Sequence, residues 1–326
     1  MTPQPPAAPD WERSVLEKVA LQAIQEQRRS RQWSALFKLL WFLFAFLVLA
    51  AMLGWVGRPD KDAAAMSVGR HTALVELEGV IAPESKASAE YVIKGLNRAF
   101  KDANTVGVVL RINSPGGSPV QAGYMNDEIR RLRAKYPDIP LHVVVQDLCA
   151  SGGYYVAVAA DRIYVDKASL VGSIGVIMGG FGFTGAMDKL GIERRAYTAG
   201  DNKDFLDPFV PENPQHRAHA QKMLDEIHEQ FIKTVRQGRG QRLKETPDVF
   251  SGLVWTGEKS VELGLADGLG SAEYVAREVF KAEKLVNFTV EENYFEALSK
   301  RLGTSFGSSF GRAAADATAR AGLQFR

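Results

Sequence analysis

Three glycine-bearing turns combine residue types that can present a nucleophile and hold a developing negative charge. They are Ile112-Asn113-Ser114-Pro115-Gly116-Gly117, Cys149-Ala150-Ser151-Gly152-Gly153-Tyr154 and Gly172-Ser173-Ile174-Gly175. Each follows an apolar run, and the first two lead on into helical sequence. A strand, a glycine turn and a helix in succession leave backbone N–H groups free at the helix N-terminus, where they stabilise an oxyanion. Glycine suits these places because it permits close approach and unusual φ angles. Ser151 heads the second helix, with Gly152 and Gly153 giving a substrate access. Its hydroxyl attacks a carbonyl only when a neighbouring base takes the proton.

Histidine is the commonest such base. The five histidines are His71, His142, His216, His219 and His228, and none falls in a segment that reads as a site. His216 and His219 stand i, i+3 on a polar helix. No cysteine or acidic cluster completes a metal site with them, so they read as a solvated face. Lysine can replace histidine in serine peptidases, provided that burial brings its pKa down from about 10.4. Lys203, in Ala199-Gly200-Asp201-Asn202-Lys203-Asp204, is one candidate, and spacing alone leaves it one of many lysines. Cys149 stands two residues before Ser151 without a thiolate-stabilising partner and reads as non-catalytic.

The elements that must position these turns alternate between strand and helix patterns, which indicates an α/β fold. Residues 72–77, 106–112 and 141–145 are rich in β-branched residues and read as strands. Ser118-Pro119 is an N-cap and first-turn pair for a helix running to about Tyr136. A second long helix begins after Asn213-Pro214 and ends near Gly238, and shorter ones start at Thr256-Gly257 and Ser271. Phe181, Phe183 and Phe205 are expected to pack in the core rather than line a pocket. One catalytic domain, residues 67–292, is the economical division, followed by a Gly/Ser/Ala-rich tail at 303–326.

Ahead of that domain, residues 39–56 run LLWFLFAFLVLAAMLGWV without a charge. Such a run nearly crosses a hydrocarbon core of about 30 Å, and a transmembrane anchor over residues 36–57 is expected. Arg28, Arg29, Arg31 and Lys38 precede it, whereas Arg58 and Lys61 beyond it are interleaved with Asp60 and Asp62. That asymmetry predicts a cytoplasmic segment at 1–35 and an exported catalytic domain. A cleaved signal peptide fits less well, because its apolar stretch is shorter and starts closer to the N-terminus. Net charge is +2, from 40 basic and 38 acidic residues, so bulk electrostatics draw the chain to no nucleic acid. One cysteine allows no intramolecular disulfide.

With these motifs in order, the chain resembles the signal peptide peptidase A family, the S49-type Ser–Lys peptidases that include SohB, in their half-length form. The matching segments are INSPGG at 112–117, ASGGYYVA at 150–157, VGSIGV at 171–176, AGDNKD at 199–204 and WTGEKSVELGLADGLG at 255–270. The resemblance implies a ClpP/crotonase-like superhelix of stacked ββα units behind one membrane helix. It implies Ser151 as nucleophile, Lys203 as general base and Ser173 as the residue that orients the lysine. Gly152 and one of Gly116 and Gly117 would form the oxyanion hole. Peptide-bond hydrolysis through an acyl-enzyme would need no metal or cofactor. Implied substrates are remnant signal peptides or other hydrophobic peptides at a bacterial inner membrane, with the catalytic domain on the periplasmic side. A single copy is implied to supply both Ser151 and Lys203, and a ring of copies to enclose a shared cavity. Two readings of other classes remain beside it. A crotonase-like acyl-CoA enzyme would need a carboxylate pair, and a non-catalytic membrane scaffold would need neither Ser151 nor Lys203.

Overall fold

The computed structural model describes residues 31–49 and 69–290, with the isolated positions 18 and 29. Helix α1 (Arg31–Leu49) has 19 residues and a mean hydropathy of 1.8, and none of its apolar stretch is buried by protein. Its length of about 28 Å matches the hydrocarbon thickness of a bilayer. Among the described residues it is the one helix long and apolar enough to cross a membrane. The expected span at 36–57 overlaps it up to Leu49. The rest of that span and the tail at 303–326 lie outside the described residues.

Residues 69–290 are built on one mixed sheet. Its strands are β1 (His71–Glu78), β2 (Thr105–Ser114), β3 (Leu141–Ala150), β4 (Arg162–Val165), β5 (Leu170–Gly172), β6 (Val254–Thr256), β7 (Gly268–Leu269) and β8 (Leu285–Asn287). The main path runs β6-β5-β3-β2-β1-β8, and β7 pairs with β4 at a side branch. All pairs are parallel except β5 with β6. Helices α2 (Ala89–Lys101), α3 (Pro119–Lys135) and α4 (Gly152–Ala157) return the chain between strands. Then come α5 (Thr184–Leu190), the long α6 (Pro214–Arg239), α7 (Gly257–Glu262) and the short α8 (Ala272–Tyr274).

Alternation along the strands explains the layers. Ala73, Val75, Leu77, Val108, Leu110, Ile112, Val143 and Val145 point into the main core, against Val92, Leu96 and Phe100 of α2 and Met125 and Ile129 of α3. Leu74, Val109 and Val144 face the other way and are covered by Val275 and Phe280. The α2 residues recur at i, i+4 and i+8, which gives the helix one apolar stripe. Ser118 caps α3 as expected, its side chain accepting from the Gln121 N–H.

Strand β3 runs five residues beyond the expected 141–145, because it changes partner midway. Its first half pairs with β4 and its last residues, Leu148 to Ala150, with β5. The exposed Gln146 and Asp147 at that handover interrupt the apolar run that sequence reading follows. Three aromatic expectations are corrected. Phe181 and Phe183 are 82% and 43% exposed, and Phe205 packs on α6 instead of the core. The segment between β5 and α6 projects from the body, so its apolar residues have little of their own chain to cover them.

The C-terminal end of α6 is fastened by charge. Arg239 is 1% exposed and holds Asp267 with two hydrogen bonds of 2.8 and 3.0 Å. It also donates to the Gly264 carbonyl, while Asp267 accepts from the Ile163 N–H of β4. Each polar atom displaced from water here has a partner, which is the condition for burying an ion pair at all.

Candidate active site

Ser151 follows directly on β3 and forms the N-cap of α4, half-buried, with φ 50° and ψ −122°. Positive φ is unfavourable for a residue with a Cβ, and such strain gathers at functional sites. Two backbone bonds fix it. The Ser151 N–H donates to the Gly172 carbonyl at 2.8 Å, and its own carbonyl accepts from the Tyr155 N–H at 2.9 Å. The side chain makes no capping hydrogen bond, so the hydroxyl is left for other work.

Ser173 repeats this geometry one strand away. Ala150 and Gly172 are paired in register across β3 and β5, and each serine is the next residue along. Neighbouring strands lie about 4.8 Å apart, so the two serines emerge side by side, both with φ 50°. The Ser173 N–H donates to the Leu253 carbonyl at 2.7 Å.

The third turn closes over Ser151. Gly116 has φ 94°, and a Cβ there would meet the Gly152 nitrogen at 2.6 Å and the Ser151 Cβ at 2.8 Å. Gly117 has φ 145°, and a Cβ there would strike the Ile81 carbonyl oxygen at 2.2 Å. Only glycine fits either place. Ser114, fully buried, organises the turn: its hydroxyl donates to the Gly79 carbonyl at 2.6 Å and accepts the Gly116 N–H at 3.1 Å. The Gly116 N–H is therefore occupied. The Gly117 N–H has no partner among the described hydrogen bonds, and Gly117 is exposed. The sequence alone does not distinguish these two glycines and assigns Ser114 no role. Its place in INSPGG was the available signal, but a bond to a carbonyl 35 residues away is a tertiary fact.

Lys203 lies on a turn of the projecting segment, its N–H donating to the Gly200 carbonyl at 3.1 Å. Its side chain is exposed, and it has no hydrogen bond or ion pair among the described residues. Within one copy the structure does not bring it into contact with Ser151. Helix α6 is attached to both regions. Near its start, the His216 Nε2–H donates to the Asn202 Oδ1 at 3.0 Å. Twelve residues on, the His228 Nε2–H donates to the Ile174 carbonyl beside Ser173. Phe231 then packs on Tyr155 of α4 at 5.2 Å. At 1.5 Å per residue, the first two attachments are about 18 Å apart along the helix.

His216 also departs from expectation. It is 7% exposed, packed against Phe205, whereas His219 keeps an exposed position. Cys149 is fully buried, and burial pushes its thiol pKa up, away from thiolate chemistry. No group of three metal-ligating side chains occurs among the described residues.

Known proteins resemble parts of this chain. The family model "Peptidase family S49" matches residues 133–287. A Methanocaldococcus jannaschii relative named as a candidate protease, MJ0651, is 33% identical, over 71% of this chain and 75% of its own. An Enterococcus faecium relative named as a candidate signal peptide peptidase, SppA, is 30% identical, over 60% of this chain and 57% of its own. A Brucella melitensis protein named Na(+)/H(+) antiporter NhaA is 47% identical over 54% of this chain. The chain spans only about a quarter of that relative, 24% of its length.

Proposed function

The chain belongs to peptidase family S49, and we propose on that premise that it is a membrane-anchored serine endopeptidase with Ser151 as nucleophile and Lys203 as general base. The observation that carries the reading is the strained Ser151 backbone at the head of α4, beside the unpartnered Gly117 N–H. In the first step the Ser151 hydroxyl attacks the scissile carbonyl and gives its proton to the neutral Lys203 amine. The oxyanion accepts hydrogen bonds from the N–H groups of Gly117 and Gly152. As the intermediate collapses, the C–N bond breaks and the Lys203 ammonium protonates the departing amine. A water molecule then repeats the sequence on the acyl-enzyme, with Lys203 again taking the proton, and restores Ser151.

A lysine serves as base only when it is shielded from water. Lys203 is exposed on the single chain and rides on the far part of α6 from Ser151. The same projecting segment carries Ile177 at 91%, Phe181 at 82% and Tyr197 at 95% exposure, an apolar surface that calls for a partner. Both features are met when copies assemble as a ring and Lys203 of one copy enters the Ser151 site of the next. Ser173, beside Ser151, then accepts a hydrogen bond from the incoming lysine and orients it.

The body is read as a ClpP/crotonase-type superhelix, and α1 as part of the anchor in a bacterial inner membrane. The N-terminus is cytoplasmic and the site lies on the periplasmic side. Substrates are hydrophobic peptides at the bilayer, remnant signal peptides among them. Purified wild type should cleave a hydrophobic fluorogenic peptide. At matched folding and assembly, Ser151→Ala and Lys203→Ala should each lose activity by orders of magnitude. A Ser151→Ala protein that still cleaves sinks the mechanism.

A further inference from the structure

We infer that the Asn202–His216 contact is a clamp that positions Lys203, so that His216, on a helix whose other end is docked to the α4 that Ser151 caps, is a positioning residue for the base. The inference rests on the assignment of Lys203 as base. Lys203 sits in a run of tight turns, between Asn202, whose carbonyl accepts the Phe205 N–H at 3.1 Å, and Asp204, whose carbonyl accepts the Asp207 N–H at 2.9 Å. Turns of this kind define local shape but not position relative to the body. Position comes from α6, and His216 supplies it twice.

Its Nε2–H donates to the Asn202 Oδ1 at 3.0 Å, and its ring meets Phe205 edge-on at 5.4 Å. His216 thus grips the residue before Lys203 and the second residue after it. Among the described hydrogen bonds, this is the one that joins the Lys203 turn to α6. The helix start is fixed in turn, because Asn213 caps it through a 2.9 Å bond from the Gln215 N–H to its Oδ1. The far end is pinned by His228 to Ile174, by Thr234 to the Tyr155 hydroxyl and by the buried Arg239. A rigid helix therefore runs from the clamp to the α4 that Ser151 caps, and it fixes how a copy presents its lysine relative to its own serine.

The clamp has room to fail. Asn202, Phe205, Gln215, His216, His219 and Met223 line a half-open cavity of about 510 Å³. Without the hydrogen bond, Asn202 can swing into that space and take the Lys203 turn with it. Misplacement of a catalytic group by about 1 Å can cost 100-fold in rate. The exposed Lys203 side chain makes no described hydrogen bond or ion pair that would resist the movement, and its N–H bonds only to Gly200 within the same turn.

The test is a double-mutant cycle with a hydrophobic fluorogenic peptide, on variants matched to wild type in thermal midpoint and assembly. Asn202→Ala and His216→Leu should each lower kcat by about 10- to 100-fold and leave KM within about twofold. The double variant should be no worse than the weaker single, since one contact is removed only once. His216→Gln, whose amide nitrogen can reach the Nε2 position, should recover most of kcat. Additive losses, or a change confined to KM, would reduce His216 to packing and overturn the clamp. Lys203→Ala in the same series separates the two claims. If it is inactive while His216→Leu keeps full kcat, the clamp alone is wrong. If it is active, the base assignment fails first.

Discussion

Replacing Ser114 with alanine should damage stability and catalysis together, by amounts that the site geometry sets. The Ser114 hydroxyl is buried and bridges the Gly79 carbonyl and the Gly116 N–H. Alanine removes both bonds and puts no group in their place. A buried polar group left without a partner costs about 1–3 kcal/mol, and the freed turn can relax around one of the two. A loss of about 1–3 kcal/mol follows, and each kcal/mol moves the thermal midpoint of a body this size by about 2–4 °C. The catalytic effect comes through Gly117. With the Gly116 N–H released, only the Ile81 N–H bond to the Gly116 carbonyl, at 2.8 Å, still holds the next peptide group, which supplies the proposed oxyanion donor. Deleting such a donor outright lowers kcat by about 10²–10³-fold, so loosening it should cost about 10- to 100-fold. Because the oxyanion exists only in the transition state, the loss belongs in kcat and not in KM. Steady-state kinetics at a temperature where the variant stays folded, beside a melting curve, read both effects. A Ser114→Ala protein with a lowered midpoint and wild-type kcat would refute the link between Ser114 and the oxyanion hole.

Two further expectations concern the body. His142 lies between Tyr164 and Phe280, and burial lowers its pKa to about 4, against about 6.5 in the unfolded chain. Between these values the unfolded chain takes up a proton that the folded protein refuses. Stability should therefore fall as pH drops from about 6.5 to 4, by up to about 3 kcal/mol. Urea midpoints at both ends of that window should show the slope in wild type and much less of it in His142→Phe. Glycine positions give a paired test. A Cβ at Gly238 would meet the Val158 carbonyl oxygen at 2.1 Å, so Gly238→Ala should force α6 away from α4 and destabilise by about 1–3 kcal/mol. At Gly123, in α3, nothing lies within 4 Å, and Gly123→Ala should stabilise by about 0.5–1 kcal/mol. Chemical denaturation that moves both variants the same way would contradict the packing described.

Local pattern made much of this protein legible in its sequence. The strands around 72–77 and 106–112, the Ser118-Pro119 helix start and the long helix after Asn213-Pro214 are all present, because each depends on residues near in the chain. The Ser151 turn was legible for the same reason. Three things were not. The partner change along β3 depends on which strand lies alongside, and Gln146-Asp147 hides it. The burial of His216 depends on a turn that returns from residues 202–205, which helical periodicity does not register. The attachment of the Lys203 turn to the start of α6 depends on the Asn202–His216 contact, and motif order alone says nothing about it.

The most direct measurement mixes two dead proteins. Ser151→Ala keeps Lys203, and Lys203→Ala keeps Ser151. The two are assayed for peptide cleavage alone, then after unfolding and refolding together at equal concentration. The account predicts no activity from either alone. The mixture should recover about a quarter of wild-type activity, because a random ring pairs an intact serine with an intact neighbouring lysine at one site in four. A mixture as inactive as its parts would contradict a dyad shared between copies, and a Lys203→Ala protein active by itself would remove the lysine from the mechanism.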